Sequence, residues 1–462
     1  MNNVSLKKED IEELKSNTKK LYSFVKTENN GMLFFVLNKL GKLPYDFDDA
    51  PLLYLIDHKD AKIRYLAIKN LAKLEKFSLF PVFKKVITND PCADVRREAT
   101  SAIGRLRDPK AIPFLIELLK DSDPEVVMQA IRGLLVFKNS QLIAKKLKKL
   151  KNHPNEIIQD VIKKEFFPKK PKKNALKHTE FPDFLRNKVV LGDVQEIIKC
   201  IPDESVHLTF TSPPYYNARD YSIYQSYEQY LKFLERVFKE VHRITKEGCF
   251  FILNTSPIIM PRVSRQHASR RYPIPYDIHP LLVKMGWEFI DDIVWVKPEA
   301  SVKNRNAGFL QHRKPLAYKP NARTEMVMVY RKKTDKLIDW NIKQYDQKTV
   351  EESKVIGNYE TSNVWEIDPV FDKTHSAVFP LELCKRVIKF YSFKGDLVFD
   401  PFAGSGTLGK AAQILDRYFF LTEIDPKYFE RIKENLGFID VNYEKDFFNR
   451  IFTFNYINDC LC

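Results

Sequence analysis

The stretch Thr211-Ser212-Pro213-Pro214-Tyr215-Tyr216 carries the residue types best suited to chemistry. The alternating run 206–210 before it reads as a strand of period two. Two prolines then end the strand, because neither can donate to a sheet ladder. The product is a rigid strand end bearing a small hydroxyl, free carbonyls and an aromatic ring. That set suits chemistry on a flat heterocycle with an amino group. The hydroxyl of Ser212 and a backbone carbonyl of Ser212 or Pro213 can accept the two amino hydrogens, and Tyr215 can stack on the ring. A proline-rich turn with a packed tyrosine is the plainer reading of the same residues.

A second constellation lies far downstream, at Asp400-Pro401-Phe402-Ala403-Gly404-Ser405-Gly406-Thr407. A short apolar strand enters this glycine-rich turn, and a helical pattern leaves it over 407–415. Glycines there let the backbone approach a ligand at a helix N-terminus. The next strand, 418–422, runs into Glu423, where an acid can bind ribose hydroxyls. Strand, glycine turn, helix, strand and acid together suit an adenosine-type cofactor.

Taken together, the two constellations resemble the DNA amino-methyltransferases of the N4-cytosine/N6-adenine group. Residues 211–215 resemble the catalytic motif of that family in its Ser-Pro-Pro-Tyr form, and residues 400–407 its cofactor motif. The catalytic motif comes first, which is the order of the permuted beta class. The resemblance spans roughly residues 181–440. It implies a Rossmann-like seven-strand α/β core, S-adenosyl-L-methionine as cofactor and double-stranded DNA as substrate. Ser212, Pro213, Pro214 and Tyr215 would be catalytic. Asp400, Phe402, Gly404, Gly406, Thr407 and Glu423 would hold the cofactor. Phe379 and Pro380, in a segment resembling the family's H-x-x-x-F-P motif with His375, would wall its methionine end. Asp193, after a short strand at 189–193, would contact its adenine end, or serve as a helix N-cap; both roles are compatible. Serine rather than aspartate at the first motif position favours N4-cytosine over N6-adenine. A carbon-5 methylase would want a cysteine in the motif, and there is none.

The elements that must position these residues alternate between strand and helix. Helices are expected at 227–244, 277–285 and 381–390, and strands at 248–253, 289–296 and 324–330. Such alternation implies a mainly parallel sheet covered on both faces. Two basic, irregular stretches interrupt it. Residues 262–272 can track phosphates or be a solvated loop. Residues 299–322, with the polar stretch 331–362, are the expected target-recognition segments.

Residues 1–166 read differently. Ile63, Val95, Val126 and Ile157 recur at a period of about 31 residues, the mark of an α-solenoid. Ala67, Ala99 and Ala130 keep step, as do Leu71, Ile103 and Leu134, and a weak fourth copy contains Ile157 and Val161. The repeats resemble HEAT units, and such a solenoid binds either DNA or a protein partner. Lysines 145, 146, 148, 149 and 151 make its last unit basic. A Pro/Lys-rich linker over 167–180 separates it from the methyltransferase region, and 441–462 is expected to be a tail or a closing strand.

The 76 Lys+Arg against 60 Asp+Glu give a net charge of +16, which favours a polyanionic partner. Six cysteines without a Cys-x-x-Cys pair fit a reducing cytosol, and no metal centre is expected. No apolar run reaches the ~18 residues of a membrane span. A cytoplasmic location and no membrane partner are therefore expected. A cognate restriction endonuclease would be a separate chain. A scaffold with a degenerate or RNA-directed methyltransferase fold remains the competing reading.

Overall fold

The structure, a computed structural model, describes residues 8–167 except 28 and 45, 177–216, 224–370 except 261, 263 and 265, 378–437 and 440–443. The lysine-rich stretch 168–173, His375 and the chain from 444 onward lie outside the described residues. The chain divides into two compact units, Met1–Lys170 and Pro171–Cys462. Among the described residues no helix is long and apolar enough to cross a membrane.

The first unit is a stack of helix pairs. Its repeat phase is set by helix starts. Asp60, Asp123 and Asn155 each accept hydrogen bonds from backbone N–H groups of the following turn, the usual work of an N-cap. The third residue after each cap is Ile63, Val126 or Ile158, and all three are buried. This corrects the phase of the fourth copy. Ile157 is 62% exposed, whereas Ile158 and Ile162 are fully buried. Adjacent isoleucines are indistinguishable by composition, and only the Asn155 cap decides between them. Ala67, Ala99 and Ala130 are buried in the expected phase.

Helices Ala93–Leu106 and Pro124–Leu135 meet at two glycines. A Cβ on Gly133 would lie 3.0 Å from the Cα of Gly104 and 3.0 Å from Leu115 Cδ1. Backbone stands behind one of those contacts, so it cannot simply rotate away.

The second unit is built on one nine-stranded sheet. In chain order its strands, with those of a small separate hairpin, are β1 (Lys188–Leu191), β2 (Val206–Thr211), β3 (Thr245–Thr255), β4 (Ile258–Met260), β5 (Arg270–Tyr272), β6 (Trp287–Val296), β7 (Thr324–Lys332), β8 (Val364–Glu366), β9 (Leu397–Asp400), β10 (Tyr418–Glu423) and β11 (Asp440–Tyr443). The sheet order is β11-β1-β10-β9-β2-β3-β7-β6-β8, and β4 and β5 form the hairpin. Strand β7 is antiparallel to both β3 and β6, while the neighbours from β11 to β3 run parallel. The seven strands from β1 to β6 form the expected Rossmann-like core; β11 and β8 extend it at either edge. The basic stretch 262–272 is therefore not all loop, since Arg270–Tyr272 pairs with Ile258–Met260.

Helices cover both faces. Tyr227–Ile244 and Ile274–Met285 pack Tyr230, Leu234, Val237, Ile278 and Leu282 against one face. Leu381–Tyr391, Thr407–Ile414 and Pro426–Leu436 pack Leu383, Val387, Leu408, Phe429 and Ile432 against the other. Strand β9 reads as the near-continuous apolar run of a central strand covered on both faces; β2 alternates in polarity, yet both are buried at every position.

Chain order is permuted relative to space. The chain lays down β1, β2 and β3 first, then returns to insert β9 and β10 between β1 and β2. Strand ends separated by nearly two hundred residues thus become neighbours. At the opposite end of these strands lies a buried polar cluster. His207 Nδ1 accepts from the Leu397 amide at 3.0 Å, so its Nε2–H donates to the His178 carbonyl at 2.8 Å. Arg331 donates to the Gly248 carbonyl and to Asn341, and Tyr345 donates to Asp396. Residues 331–345 of the second expected recognition segment therefore pack at the end of the sheet away from Ser212.

Replacing Gly133 with valine should force the two repeat helices apart and destabilise the first unit by about 1–3 kcal/mol. Denaturant unfolding of the full chain would register this in the transition of the helical unit; an unchanged midpoint would contradict the close approach.

Candidate active site

The carboxyl ends of β2, β9 and β10 open into one cavity of about 410 Å³. Ligands of open α/β sheets bind at this end of the strands. Ser212, Pro213, Pro214 and Tyr215 line the cavity from β2. Asp400, Phe402, Gly404 and Thr407 line it from the turn after β9, Glu423 from the end of β10, Asp193 from the turn after β1, and Phe379 from the segment ahead of the helix Leu381–Tyr391. Of the residues singled out in the sequence, Pro380 and Gly406 do not line it. Pro380 precedes the helix Leu381–Tyr391 as its N-cap. Gly406 shapes the turn from behind.

The two halves are joined by a buried hydrogen bond. Thr211 Oγ1 donates to Asp400 Oδ1 at 2.6 Å, and the same oxygen accepts from the Phe402 amide at 3.0 Å. The glycine turn then winds through left-handed conformations at Gly404 (φ 55°) and Gly406 (φ 76°). A Cβ on Gly406 would meet Ile432 Cγ2 at 2.9 Å. Both backbone conformation and space demand glycine there. Glu423 stitches this turn to β10: its Oε2 accepts from the Gly404 amide and its Oε1 from the Asp425 amide, each at 2.8 Å. Ile424, beside it in the lining, is 66% exposed. Asp193 does cap the next helix, accepting from the Gln195 amide at 2.8 Å, and also lines the cavity. Phe379 stacks on Phe210 of β2 with centroids 4.7 Å apart.

At the other end of the cavity Ser212 and Tyr215 belong to a polar network that sequence reasoning did not find. Ser212 Oγ lies 3.4 Å from the Tyr215 hydroxyl and 3.5 Å from Asn254 Nδ2. The Tyr215 hydroxyl donates to Glu325 Oε2 at 3.1 Å, Asn254 Nδ2 donates to the same oxygen at 2.6 Å, and Lys297 pairs with Glu325 Oε1. Asn254 Oδ1 is buried with no hydrogen-bond partner among the described residues. Lys297 and Glu325 flank the basic stretch 299–322. A backbone bond from the Lys297 amide to the Arg323 carbonyl at 2.8 Å also closes that stretch at its base. It therefore springs from the end of the sheet that carries Ser212. The acidic Glu325 and the polar Asn254 each sit in an apolar strand, and that mismatch was the signal available.

Burial shifts the two site carboxyls. That of Asp400 is pushed up to about 7 by burial, partly opposed by the Thr211 and Phe402 hydrogen bonds. That of Glu423 is also pushed up to about 7 by burial, against the backbone donors of Asp425 and Gly404.

These elements define a Rossmann-like α/β chain with one cavity shared by a Pro-Pro strand end and a glycine turn. The family model of the N6/N4 DNA methylases matches residues 206–434, and that of HEAT repeats matches residues 49–135 and 80–161. The type II methyltransferase M.ScaI of Streptomyces caespitosus is 31% identical over 256 residues, covering 52% of this chain and 77% of M.ScaI. The type II methyltransferase M.MwoI of Methanothermobacter wolfeii is 28% identical over 294 residues, covering 60% of this chain and 38% of M.MwoI. The chain thus spans well under half the length of M.MwoI. Among solved structures, TTHA0409 of Thermus thermophilus in complex with S-adenosyl-L-methionine is 27% identical, with a TM-score of 0.43, covering 56% of this chain and 99% of that one. The chain belongs to the N6/N4 DNA methylase family and carries HEAT repeats ahead of its methylase region.

The raised carboxyl of Glu423 gives a pH signature. Its folded value lies above the ordinary 4.5, so the stability it confers at low pH is lost as pH rises from about 4.5 through about 7. Glu423→Gln abolishes that dependence, while its altered hydrogen bonding adds only a pH-independent offset. The melting temperature of the variant relative to the parent should therefore climb between about pH 5 and pH 8 in ligand-free protein; a constant difference would contradict the assignment.

Proposed function

We propose that this chain is an S-adenosyl-L-methionine-dependent DNA methyltransferase that modifies the N4 amino group of cytosine within a specific duplex sequence. The observation that carries the reading is the single cavity in which the Ser212-Pro213-Pro214-Tyr215 strand end faces the glycine turn and Glu423.

The residues present fit the cofactor. Glu423 offers a carboxylate to ribose hydroxyls, Ile424 an uncovered apolar surface to the adenine ring, and Asp193 an acceptor near the same end. Gly404 and Gly406 let the backbone approach closely ahead of the helix Thr407–Ile414. Thr407 and Phe402 lie on the cavity side of that turn. Asp400 holds it to the catalytic strand through Thr211. Phe379, backed by Pro380, walls the remaining side. When bound, S-adenosyl-L-methionine supplies an activated methyl group.

The chain's own residues then have a defined task. An exocyclic amino nitrogen is a poor nucleophile because its lone pair is delocalised into the ring. Ser212 Oγ and a neighbouring backbone carbonyl accept its two hydrogens and hold the nitrogen toward the methyl donor. Pro213 and Pro214 keep that carbonyl out of the sheet ladder. The Tyr215 ring offers a face to the base. Orientation and fixed dipoles are the protein's contribution, and no enzyme-bound covalent intermediate is needed. A base paired in a duplex must first leave the stack, at a cost of a few kcal/mol; the net charge of +16 and the basic stretch 299–322 favour the DNA contacts that offset it. Serine at the first motif position is the reason for preferring cytosine. The family relationship makes the modification half of a restriction-modification pair the natural setting, with any nuclease as a separate chain and the protein acting in the cytoplasm. The HEAT repeats serve DNA or a protein partner.

The test is to incubate the protein with methyl-labelled cofactor and mixed duplex DNA, digest to nucleosides and identify the label. N4-methylcytosine is expected. N6-methyladenine would keep the site and overturn the base assignment, and label in RNA alone would overturn the substrate class. Ser212→Ala should lower turnover by on the order of 10²-fold while leaving cofactor affinity intact; near-parental turnover would remove Ser212 from the mechanism. Gly406→Val should do the reverse, weakening cofactor binding roughly tenfold or more through its left-handed backbone and the Ile432 clash, as equilibrium dialysis would read directly.

A further inference from the structure

Ser212 has one hydroxyl hydrogen, and where it points decides what Ser212 can do. If the hydrogen faces the cavity, Ser212 meets an amino group donor against donor. If it faces the protein, the free lone pair accepts an amino hydrogen. The residues behind the motif determine the direction.

The chain of bonds starts from a group that can only accept. Glu325 is a carboxylate whose Oε1 pairs with Lys297 and whose Oε2 takes Asn254 Nδ2 at 2.6 Å and the Tyr215 hydroxyl at 3.1 Å. Tyr215 must therefore donate to Glu325. Burial and the nearby Glu325 charge push the phenol well above its ordinary 10, so it keeps that proton. Its oxygen is left to accept, and the Ser212 hydroxyl lies 3.4 Å away. Ser256 also bonds the phenol oxygen, which has a lone pair for each serine. The other neighbour of Ser212 Oγ is Asn254 Nδ2, at 3.5 Å, which can only donate. The amide is held in that orientation because its NH₂ must face the carboxylate. Every hydrogen thus points from Ser212 through Tyr215 toward Glu325. Ser212, which lines the cavity, presents a lone pair to it.

We propose that Glu325 is a positioning residue for methyl transfer, acting through the Tyr215 hydroxyl to make Ser212 an obligate hydrogen-bond acceptor toward the target amino group. This rests on the methyltransferase reading given above. Lys297 serves the arrangement by holding Glu325 in place, and Asn254 by bridging Glu325 to Ser212. Remove the carboxylate and the Tyr215 hydrogen is free to turn to Ser212, whose own hydrogen then turns to the cavity. The family motif ends at Tyr215; the residue that gives it direction lies 110 positions away on β7.

The experiment is a double-mutant cycle on the full chain, using Glu325→Gln, Tyr215→Phe and the pair together, with kcat, KM for duplex DNA and cofactor affinity measured for each. Each single variant should lower kcat by on the order of 10²-fold. KM and cofactor affinity should stay within about twofold, since the hydroxyl polarity matters only once the amino group is engaged. The double variant should be no slower than the slower single variant by more than about threefold, because both remove the same chain of bonds. A kcat of Glu325→Gln or of Tyr215→Phe within twofold of the parent overturns the proposal, and so do losses that multiply in the double variant. If Glu325→Gln loses cofactor binding and so fails as a folded variant, Tyr215→Phe alone still decides, because it removes only the hydroxyl. A parent protein that transfers no methyl group to DNA overturns the functional reading and this proposal with it; an active parent with unaffected variants overturns this proposal alone.

Discussion

The hydrogen bond from Thr211 to Asp400 ties the last residue of one strand to the last residue of its neighbour, across a sequence separation of 189. Everything at the site is positioned from it. On one side it anchors the last residue of β2, just before Pro213 and Pro214 end the strand. On the other it holds the carboxylate that receives the Phe402 amide and starts the glycine turn. A buried carboxylate is costly unless its lone pairs are used, and here a side chain from one half-site and an amide from the other use them. Loss of either partner would leave the other exposed to that cost, so the two halves are coupled by the expense of separating them.

The same economy recurs around Glu423 and Glu325. Each is an acid at a strand end and each gathers donors from more than one segment; Glu423 lines the cavity, whereas Glu325 stands behind Ser212 and Tyr215. Glu423 collects amides from two turns. Glu325 collects an amine, an amide and a phenol. An ionised carboxylate only accepts, so Glu325 imposes direction on the donors around it. The site is therefore organised by three carboxylates around an opening lined largely by apolar side chains and backbone.

Local pattern carried much of this structure. The apolar spacing from Tyr230 to Val241 marks the helix Tyr227–Ile244 at both ends, and the alternation before Thr211 and the glycines at 404 and 406 mark the strand end and turn. Where a choice depended on a cap rather than on hydrophobicity, sequence reading slipped by one residue, as at Ile157 and Ile158. What stayed hidden was non-local. Nothing near Glu325 or Asn254 in the chain announces Ser212, since β3 and β7 are brought together only by antiparallel pairing. Polarity misled as well. Residues 331–345 belong to a polar stretch expected to help recognise the target, yet Arg331 and Asn341 are buried and paired around Gly248 at the far end of the sheet. Polar residues are buried when their partners are fixed, and those partners came from elsewhere in the chain.

The stretch between Lys297 and Glu325 is closed at its base by their ion pair and by the backbone bond from Lys297 to Arg323. Its two feet are thus fixed independently of whatever lies between them. The entropy of closing such a loop grows only slowly with its length, so its interior is free to lengthen, shorten or change composition without moving Ser212. The backbone between the two feet can therefore vary while Lys297, Glu325 and Ser212 keep their positions. The boundary between the fixed and the variable part falls at two residues that touch both.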